Sequence, residues 1–367
     1  MTVLLYLTIT YSLILLILLV GLFKSYLIKK TNQINNKLSV IIAAKNEQKN
    51  IISLLQALAK QNYPKDNYEV IIADDNSTDE TAEIVKTFIK DNENFKYIHV
   101  TDRHYPEIKG KKKALTAGIA QSKYSILVFT DADCLPKENW LQSINRNFTD
   151  DVDFVAGYSP LLFDDDSLLG KLKNLERSSI FAVTAGSFGL NIPLTCTARN
   201  MAYRKSLWEE VNGFIGIHDV LSGDDDLMLL KSRHHIRKYR FCFDLDSVVE
   251  SNEHKTGNQH LNQEIRRASK FKYYPLYIKL LTVFIAVYYL YFLSTFLQVI
   301  LSTYNFNHLI INIILKIGVE ALFLIFFLSF VKRLKLMLYF PLAELLYITY
   351  FLYFGVKGSL SKYTWKK

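Results

Sequence analysis

The chain has 367 residues, 50% of them hydrophobic, and a formal net charge of +9 at pH 7. A chain of this length has room for one large domain or two small ones. Its basic residues gather mainly beside long apolar segments, which favours contact with anionic lipid and argues against nucleic acid as a partner. Three cysteines, an odd number without metal-site spacing, predict reduced thiols.

The first apolar segment, residues 3–23, contains no charged residue. A helix of about 21 residues, at a rise of about 1.5 Å each, covers roughly 30 Å, the thickness of a bilayer core. A cleaved signal peptide is the alternative, but no basic residue precedes the segment and no small-residue cleavage site separates it from Lys24. We therefore predict an N-terminal transmembrane anchor over residues 1–24.

Three further apolar runs lie in the last quarter of the chain, and they predict about three C-terminal transmembrane helices within residues 276–357. The third run contains Pro341 and Glu344, so it can be a full span or a re-entrant hairpin. The side of the membrane on which the basic tail, residues 358–367, lies stays open for the same reason.

Basic residues flank the central part of the chain on both sides. Lys24 and Lys30 precede it, and Arg266, Arg267 and Lys270 follow it. Positively charged flanks remain on the cytoplasmic side of a membrane. We therefore expect an integral membrane protein whose central domain is cytoplasmic, as in a bacterial-type inner membrane.

The central domain, residues 37–250, alternates apolar, β-branched strands with helical segments, and residues 251–275 form an amphipathic juxtamembrane segment. Such alternation predicts an α/β fold with a mostly parallel, doubly wound sheet. The first four predicted strands cover residues 38–44, 68–73, 95–100 and 125–130.

Three of these strands end in polar, acid-bearing turns: Lys45-Asn46-Glu47, Asp74-Asp75-Asn76 and Asp131-Ala132-Asp133. The carboxyl ends of parallel strands meet at one edge of a sheet, where ligands bind, so we expect a nucleotide site there. Two aspartates one residue apart supply hard oxygen ligands for Mg²⁺ or Mn²⁺, and the cation can also hold a diphosphate. The alternative is that they are ordinary turn residues.

The sequence has neither a glycine-rich dinucleotide fingerprint after the first strand nor a Walker loop, so a metal and lysines are expected to hold the phosphates. Lys111, Lys112 and Lys113 open a predicted helix and are the candidates. Three consecutive lysines at a helix start cannot all face one site, and a solvated face is the alternative for at least two of them. Lys111 is the one that we assign to the site.

Several motifs, taken together and in order, resemble the family-2 inverting glycosyltransferases, which have the Rossmann-like GT-A fold. The resemblance covers roughly residues 38–270. It rests on Ser-Val-Ile-Ile-Ala-Ala-Lys-Asn-Glu at 39–47, Ile-Ala-Asp-Asp-Asn-Ser-Thr-Asp-Glu-Thr at 72–81, Gly-Lys-Lys-Lys-Ala-Leu-Thr-Ala-Gly-Ile at 110–119, Thr-Asp-Ala-Asp at 130–133, Asn-Met-Ala-Tyr-Arg at 200–204, Asn-Gly-Phe at 212–214 and Ser-Gly-Asp-Asp-Asp-Leu at 222–227.

The resemblance implies a membrane enzyme that moves a sugar from a nucleotide-sugar donor, expected to be UDP-linked, to a lipid-linked or glycan acceptor. On the donor side it implies that Ala43 and Glu47 lie near the nucleoside and that Asp75 contacts the base. Asp131 and Asp133 would be the metal-binding pair, with Asp133 the direct ligand.

On the acceptor side, an inverting transfer needs a base that deprotonates the acceptor hydroxyl. The resemblance assigns this role to Asp224, although Gly223 replaces the usual glutamate, so the register can shift by one and Asp225 stays a candidate. Stabilisation of a helix start is the alternative role for these acids. The resemblance also places four residues near the acceptor or the diphosphate: Asn200, Asp226, Gln263 and Arg266. For Arg266, contact with the lipid surface is the alternative.

Arg267 stands where this family's Gln-x-x-Arg-Trp motif has its tryptophan, and only three spans follow the domain. Both features favour transfer of one sugar, or very few, over the alternative of a processive polysaccharide synthase. A more distant alternative is a nucleotide-binding transporter or scaffold. In that case Glu320 and Glu344, inside predicted spans, would line a pathway.

Overall fold

A computed structural model describes residues 2–28, 30, 36–101, 103–163, 167–252, 257–303 and 305–360. Residues 361–367, most of the predicted basic tail, lie outside the described residues. The described chain divides into two compact units. One contains residues up to 24, 167–190 and 257–360, and the other contains residues from 25 to 163 and 191–252.

Strands and helices are numbered in chain order. The strands are β1 (Leu38–Ala44), β2 (Tyr68–Asp74), β3 (Phe95–His99), β4 (Ile126–Phe129), β5 (Cys134–Pro136), β6 (Phe154–Gly157), β7 (Leu161–Leu162), β8 (Met201–Arg204), β9 (Tyr239–Cys242) and β10 (Val249–Asn252). The helices are α1 (Thr2–Tyr26), α2 (Ile51–Ala59), α3 (Thr81–Ile89), α4 (Lys111–Ala120), α5 (Trp140–Asn145), α6 (Leu168–Gly189), α7 (Lys205–Glu210), α8 (Asp226–Ser232), α9 (Gly257–Ser269), α10 (Leu276–Ile300), α11 (Phe306–Phe330) and α12 (Phe340–Leu360).

The second unit is built on a seven-stranded sheet with the order β3-β2-β1-β4-β8-β6-β9. Neighbouring strands are parallel from β3 to β4, and β8 is antiparallel to both of its neighbours. The chain moves outward from β1 to β3 and then returns to place β4 on the other side of β1. The carboxyl ends of β1 and β4 therefore flank a topological switch point, where open α/β sheets bind their ligands. The predicted mostly parallel α/β fold is confirmed.

The apolar strands explain why this sheet forms. Val40 and Ile42 of β1, Val70 and Ile72 of β2, and Val128 of β4 are fully buried in one cluster with helix side chains. Burial on both faces is typical of β-branched strands in a parallel sheet. The apolar face of α2 packs into the same cluster through Ile51, Leu54, Leu55 and Leu58.

The first unit contains helices long and apolar enough to cross a membrane. Within the described residues there are four such helices, over Val3–Tyr26, Leu276–Ile300, Phe306–Phe330 and Leu334–Gly358. One is N-terminal and three are C-terminal, as predicted. Pro341 lies in the first turn of α12, where proline is tolerated, so it does not divide the third C-terminal helix into a hairpin.

A helix that the sequence analysis does not predict, α6, also belongs to this unit. It crosses α1 very closely, because glycines meet there. A methyl group on Gly21 would lie 2.1 Å from the carbonyl oxygen of Gly186, and one on Gly186 would lie 2.5 Å from that of Leu18. Small residues of this kind allow helix backbones to approach in membranes.

The two acidic residues within the predicted spans share one lysine. Lys316 donates a hydrogen bond to Glu320 at 2.7 Å and a second one to Glu344. The Tyr11 hydroxyl of α1 donates to Glu320 at 2.5 Å. A buried carboxyl group needs such partners, and this network supplies them to both acids.

Candidate active site

Two turns at the carboxyl edge of the sheet are hydrogen-bonded to each other. Asn46 after β1 and Asn76 after β2 both have a positive φ, which asparagine tolerates better than most residues. The Asn46 side-chain oxygen accepts from the backbone N–H of Thr78 at 2.9 Å, and the Asn46 N–H donates to the Ser77 hydroxyl at 2.9 Å. These bonds hold the Lys45-Asn46-Glu47 and Asp74-Asp75-Asn76 turns side by side.

Asp75, the predicted base-contacting residue, is buried between two lysines. Its Oδ1 lies 3.1 Å from Lys113 Nζ, and its Oδ2 lies 3.3 Å from Lys45 Nζ. Ala43 and Glu47 flank the same edge and are both half-buried. The structure therefore brings all three residues predicted near the nucleoside to this end of the sheet.

Lys111 joins the predicted donor side to the predicted acceptor side. Its Nζ forms an ion pair with Asp131, in the turn after β4, and lies 3.1 Å from Oδ2 of Asp224, just before α8. Arg199 Nε lies 3.5 Å from the second carboxylate oxygen of Asp131. Two carboxylates that are far apart in sequence thus meet at one ammonium group.

The charges of this cluster fix its protonation state. Burial alone would raise the pKa of Asp131, but the positive charges of Lys111 and Arg199 outweigh it and hold that pKa below its ordinary value. Burial alone would lower the pKa of Lys111, but Asp131 and Asp224 raise it instead. Asp131 is therefore an anion and Lys111 a cation at neutral pH.

Asp133 differs from Asp131 in its surroundings. It is half-buried, and within the described chain its carboxylate has no cationic partner; its Oδ1 accepts a weak hydrogen bond from the Cys134 thiol at 3.6 Å. An uncompensated carboxylate beside Asp131 fits a divalent cation, and Mg²⁺ in particular binds through one or two carboxylates together with substrate phosphates. Burial and the charges of Asp133 and Asp131 raise the pKa of the Cys134 thiol, so it is protonated at neutral pH.

All three consecutive lysines at the start of α4 point inward, each in its own direction. Lys111 meets Asp131 and Asp224, and Lys113 meets Asp75. Lys112 is 1% exposed and donates to backbone carbonyls near residue 221. The alternative of a solvated face for at least two of them is therefore wrong, because each ammonium finds different acceptors.

The three acids before α8 have different surroundings. Asp225 caps the helix, accepting from the N–H of Asp226 at 2.8 Å, and its other oxygen accepts from the N–H of Ala198 at 3.4 Å. Asp226 is buried and accepts from the N–H of Leu227 at 2.8 Å. Asp224 faces Lys111 and the Asp131 turn, so of the three it has the position suited to a base.

Asn200 lies in the core of the unit. It is fully buried, and its side-chain oxygen accepts from the indole N–H of Trp140 at 3.0 Å. Its amide nitrogen donates to the carbonyls of Tyr158 at 3.0 Å and Ser247 at 2.7 Å. These three hydrogen bonds hold the Asn200 side chain in the core. The structure does not place it in the cluster of Lys111, Asp131 and Asp224.

Gln263 and Arg266 lie on α9 in the other compact unit, and their assignment to the diphosphate or acceptor stays a prediction. Arg267 stands at the tryptophan position. Its Nη1 lies 3.0 Å from Oε1 of Glu264 on the same helix and 3.8 Å from Oε1 of Glu176 on α6. It therefore serves as an ion-pair partner between two helices.

Two residues near the cluster were not found from the sequence. Arg199 is buried beside Asp131, and Tyr203 is fully buried between the rings of Phe129 and Phe154. Burial and the Asp224 charge raise the pKa of the Tyr203 hydroxyl well above its ordinary value. Arg199 directly precedes the Asn-Met-Ala-Tyr-Arg motif at 200–204 and Tyr203 belongs to it, but the motif does not show which side chains turn towards the site.

Residues 39–211 match the family model described as Glycosyl transferase family 2. The chain is 38% identical over 120 residues to the glycosyltransferase AglE of Haloferax volcanii, a match that covers 32% of this chain and 38% of that protein. It is 30% identical over 161 residues to the poly-β-1,6-N-acetyl-D-glucosamine synthase of Staphylococcus epidermidis, covering 43% of this chain and 36% of that protein. The matches thus span little more than a third of these relatives.

A similar solved structure is the mannosyltransferase PcManGT of Pyrobaculum calidifontis in complex with GDP-Man and Mn²⁺. The TM-score is 0.55 at 16% identity, and the alignment covers 98% of this chain and 99% of that chain. This likeness confirms the GT-A fold expected from the sequence, and at this identity it shows the fold alone.

The first prediction tests the core position of Asn200. In Asn200→Ala the Trp140 N–H and two carbonyls lose their partner, so we expect a loss of about 2–4 kcal/mol of stability, visible as a lower thermal midpoint in detergent. Asn62→Ala, at an exposed asparagine, is the control and should change the midpoint little. An unchanged midpoint together with weakened acceptor binding would return Asn200 to the acceptor site.

Proposed function

We propose, from the match of residues 39–211 to the family model described as Glycosyl transferase family 2, that this protein is a membrane-bound, metal-assisted inverting glycosyltransferase. The donor is a nucleoside-diphosphate sugar, with a UDP-sugar as the first choice, and the acceptor is a lipid-linked or glycan hydroxyl. The observation that carries this proposal is the ammonium group of Lys111, which lies between Asp131 and Asp224.

On the donor side, Asp75 and the two turns beside it bind the nucleoside at the switch point of the sheet. Lys111 and Arg199 provide positive charge next to Asp131, where the diphosphate would accumulate negative charge as it leaves. Asp131 and Asp133 would hold Mg²⁺ or Mn²⁺, which when bound supplies Lewis-acid neutralisation of the diphosphate.

On the acceptor side, Asp224 acts as general base. It takes the proton from the acceptor hydroxyl while that oxygen forms a bond to the anomeric carbon, and the bond from this carbon to the diphosphate breaks on the opposite face. The proton ends on Asp224, and the electron pair ends on the diphosphate. The ion pair with Lys111 orients the Asp224 carboxylate before the reaction.

The membrane helices favour an acceptor that is itself held at a lipid surface. Four helices in the described part of the chain are long and apolar enough to span a bilayer, so we expect the enzyme to work beside lipid. The basic residues on both sides of the domain argue for a cytoplasmic active site, where nucleotide sugars are made. Labelling of an introduced cysteine in intact cells and in inverted vesicles tests this orientation.

A processive polysaccharide synthase is the second candidate. It is favoured by the match to a poly-β-1,6-N-acetyl-D-glucosamine synthase of Staphylococcus epidermidis. Arg267 speaks against it, because a charged side chain that is paired with Glu264 and Glu176 cannot offer a sugar ring the flat apolar face of a tryptophan. We therefore favour transfer of one sugar, or very few.

The second prediction concerns the metal. Asp133→Asn removes a charge that has no cationic partner within the described chain, so we expect transfer to fall about a hundredfold or more while the thermal midpoint stays unchanged. Asp131→Asn should lose as much activity and also some stability, because Lys111 and Arg199 lose a partner. Glu138→Gln, an exposed acid nearby, is the control. Full activity of the Asp133 variant in EDTA would disprove the metal site.

The third prediction ranks the acids before α8. Asp224→Asn should lower turnover by about a hundredfold or more, the scale of general-base catalysis, while nucleotide-sugar binding measured by calorimetry persists. Asp225→Asn should lower turnover less and stability more, because Asp225 is the helix cap. Asp219→Asn, exposed in the preceding loop, is the control. The opposite ranking of the two variants would move the base to Asp225.

The fourth prediction concerns the product. With a panel of nucleotide sugars and a lipid-linked acceptor, mass spectrometry should show an acceptor extended by one sugar, or by a few in discrete steps. Long chains without intermediate lengths at limiting enzyme would instead establish the processive candidate. If the donor is consumed and no acceptor product forms, the proposed class of acceptor is wrong.

A further inference from the structure

The loop that precedes Asp224 has neither helix nor strand over residues 213–223. Lys231 of α8 donates to the carbonyl of Gly213 at 2.6 Å and thereby fixes the start of this loop. Gly223 ends it with φ +87°, and a methyl group there would lie 2.4 Å from Leu227 Cδ1. The position of the Asp224 carboxylate therefore depends on what holds the last residues of the loop.

Lys112 holds those residues directly. Its Nζ donates to the carbonyl of Ser222 at 2.7 Å and to the carbonyl of Val220 at 2.5 Å. The same ammonium lies 5.9 Å from the centre of the Phe214 ring, near the start of the loop. One side chain thus contacts both ends of the segment that leads to Asp224.

The residues just before Lys112 add backbone contacts to the same stretch. The N–H of Lys109 donates to the carbonyl of His218 at 2.9 Å. Gly110 has φ +64°, and a methyl group on it would lie 3.0 Å from the carbonyl oxygen of Leu221. Residues 109–112 therefore contact the backbone of residues 218–222 along its length.

Burial of an ammonium group is unfavourable in free energy, because the charge loses its hydration. Lys112 is 1% exposed, and desolvation of its charge costs several kcal/mol before its hydrogen bonds are counted. An apolar side chain at this place avoids that cost but cannot bind carbonyl oxygens. The use of a lysine points to a need for a defined backbone position in the loop.

We propose that Lys112 is a positioning residue, which fixes the backbone immediately before Asp224 so that this carboxylate faces Lys111 and the acceptor hydroxyl. Two adjacent lysines then position Asp224 together. Lys111 contacts its side chain, and Lys112 binds the main chain just before it. The inference rests on the proposed function, in which Asp224 is the base.

The test is a double-mutant cycle of Lys112→Met with Asp224→Asn, in the full-length protein in detergent. Lys112→Met alone should lower kcat about tenfold or more and leave the KM for the nucleotide sugar within about threefold, because misplacement of a reacting group affects the chemical step. In the Asp224→Asn background the same substitution should cost less than about twofold, since the group it positions is already absent. Lys109→Met removes an exposed lysine of the same segment and is the matched control.

Hydrogen exchange gives a readout that does not depend on activity. Amides of residues 213–223 should exchange faster in Lys112→Met than in the wild type or in Lys109→Met, while those of β1, β2 and β4 stay protected. If the methionine variant does not fold, Lys112→Gln, which keeps an N–H donor, takes its place in both experiments.

The outcomes separate the two proposals. If Lys112→Met lowers kcat by the same factor in the wild type and in Asp224→Asn, the positioning role is overturned. It is also overturned if Lys112→Met mainly raises the KM for the donor. Unchanged exchange in the loop overturns it as well. Wild-type turnover of Asp224→Asn alone instead overturns the assignment of the base.

Discussion

The arrangement of the candidate active site depends on one largely buried ammonium group, that of Lys111. Asp131 and Asp224 are contributed by the turn after β4 and by the residue before the α8 cap, and without Lys111 their like charges would repel each other. Lys111 converts this repulsion into two attractions, and burial strengthens both because the local dielectric constant is low. The lysine can do this because it opens α4, which packs against β1 and β2 at the same edge of the sheet. The parallel sheet therefore fixes the lysine, and the lysine fixes the carboxylates.

The parallel part of the fold was predictable because its signals are local. The runs of Val, Ile and Ala at residues 38–44, 68–73 and 125–130 favour buried strands, and the polar residues after them end those strands. Once strands alternate with helices, topology places all their carboxyl ends together. Glu47, Asp75 and Asp131 could be assigned to one edge for this reason, without any knowledge of contacts, whereas the assignment of Ala43 came from the family resemblance.

The rest depends on long-range contacts that no local pattern contains. The lysines at 111–113 look like a solvated run, yet their acceptors lie in three separate segments, and Ser222, which accepts from Lys112, is 110 residues away along the chain. Asn200 opens the Asn-Met-Ala-Tyr-Arg motif, from which a place near the acceptor or the diphosphate was predicted. Its side-chain amide is instead hydrogen-bonded to Trp140 and to two backbone carbonyls. The helix α6 has no unusual composition, and only the close contact between Gly21 and Gly186 reveals its place beside α1.

The charge pattern of the site also explains why its two aspartates after β4 are not equivalent. Asp131 is balanced by Lys111 and Arg199 before any ligand arrives, whereas Asp133 has no cationic partner within the described chain. A diphosphate that entered alone would add negative charge beside Asp133 and compete with Asp131 for the same two cations. Asp131 and Asp133 would hold a divalent cation that would offset this charge, so that Lys111 could remain paired with Asp224. The charges of the candidate site therefore favour a donor that would arrive together with its metal.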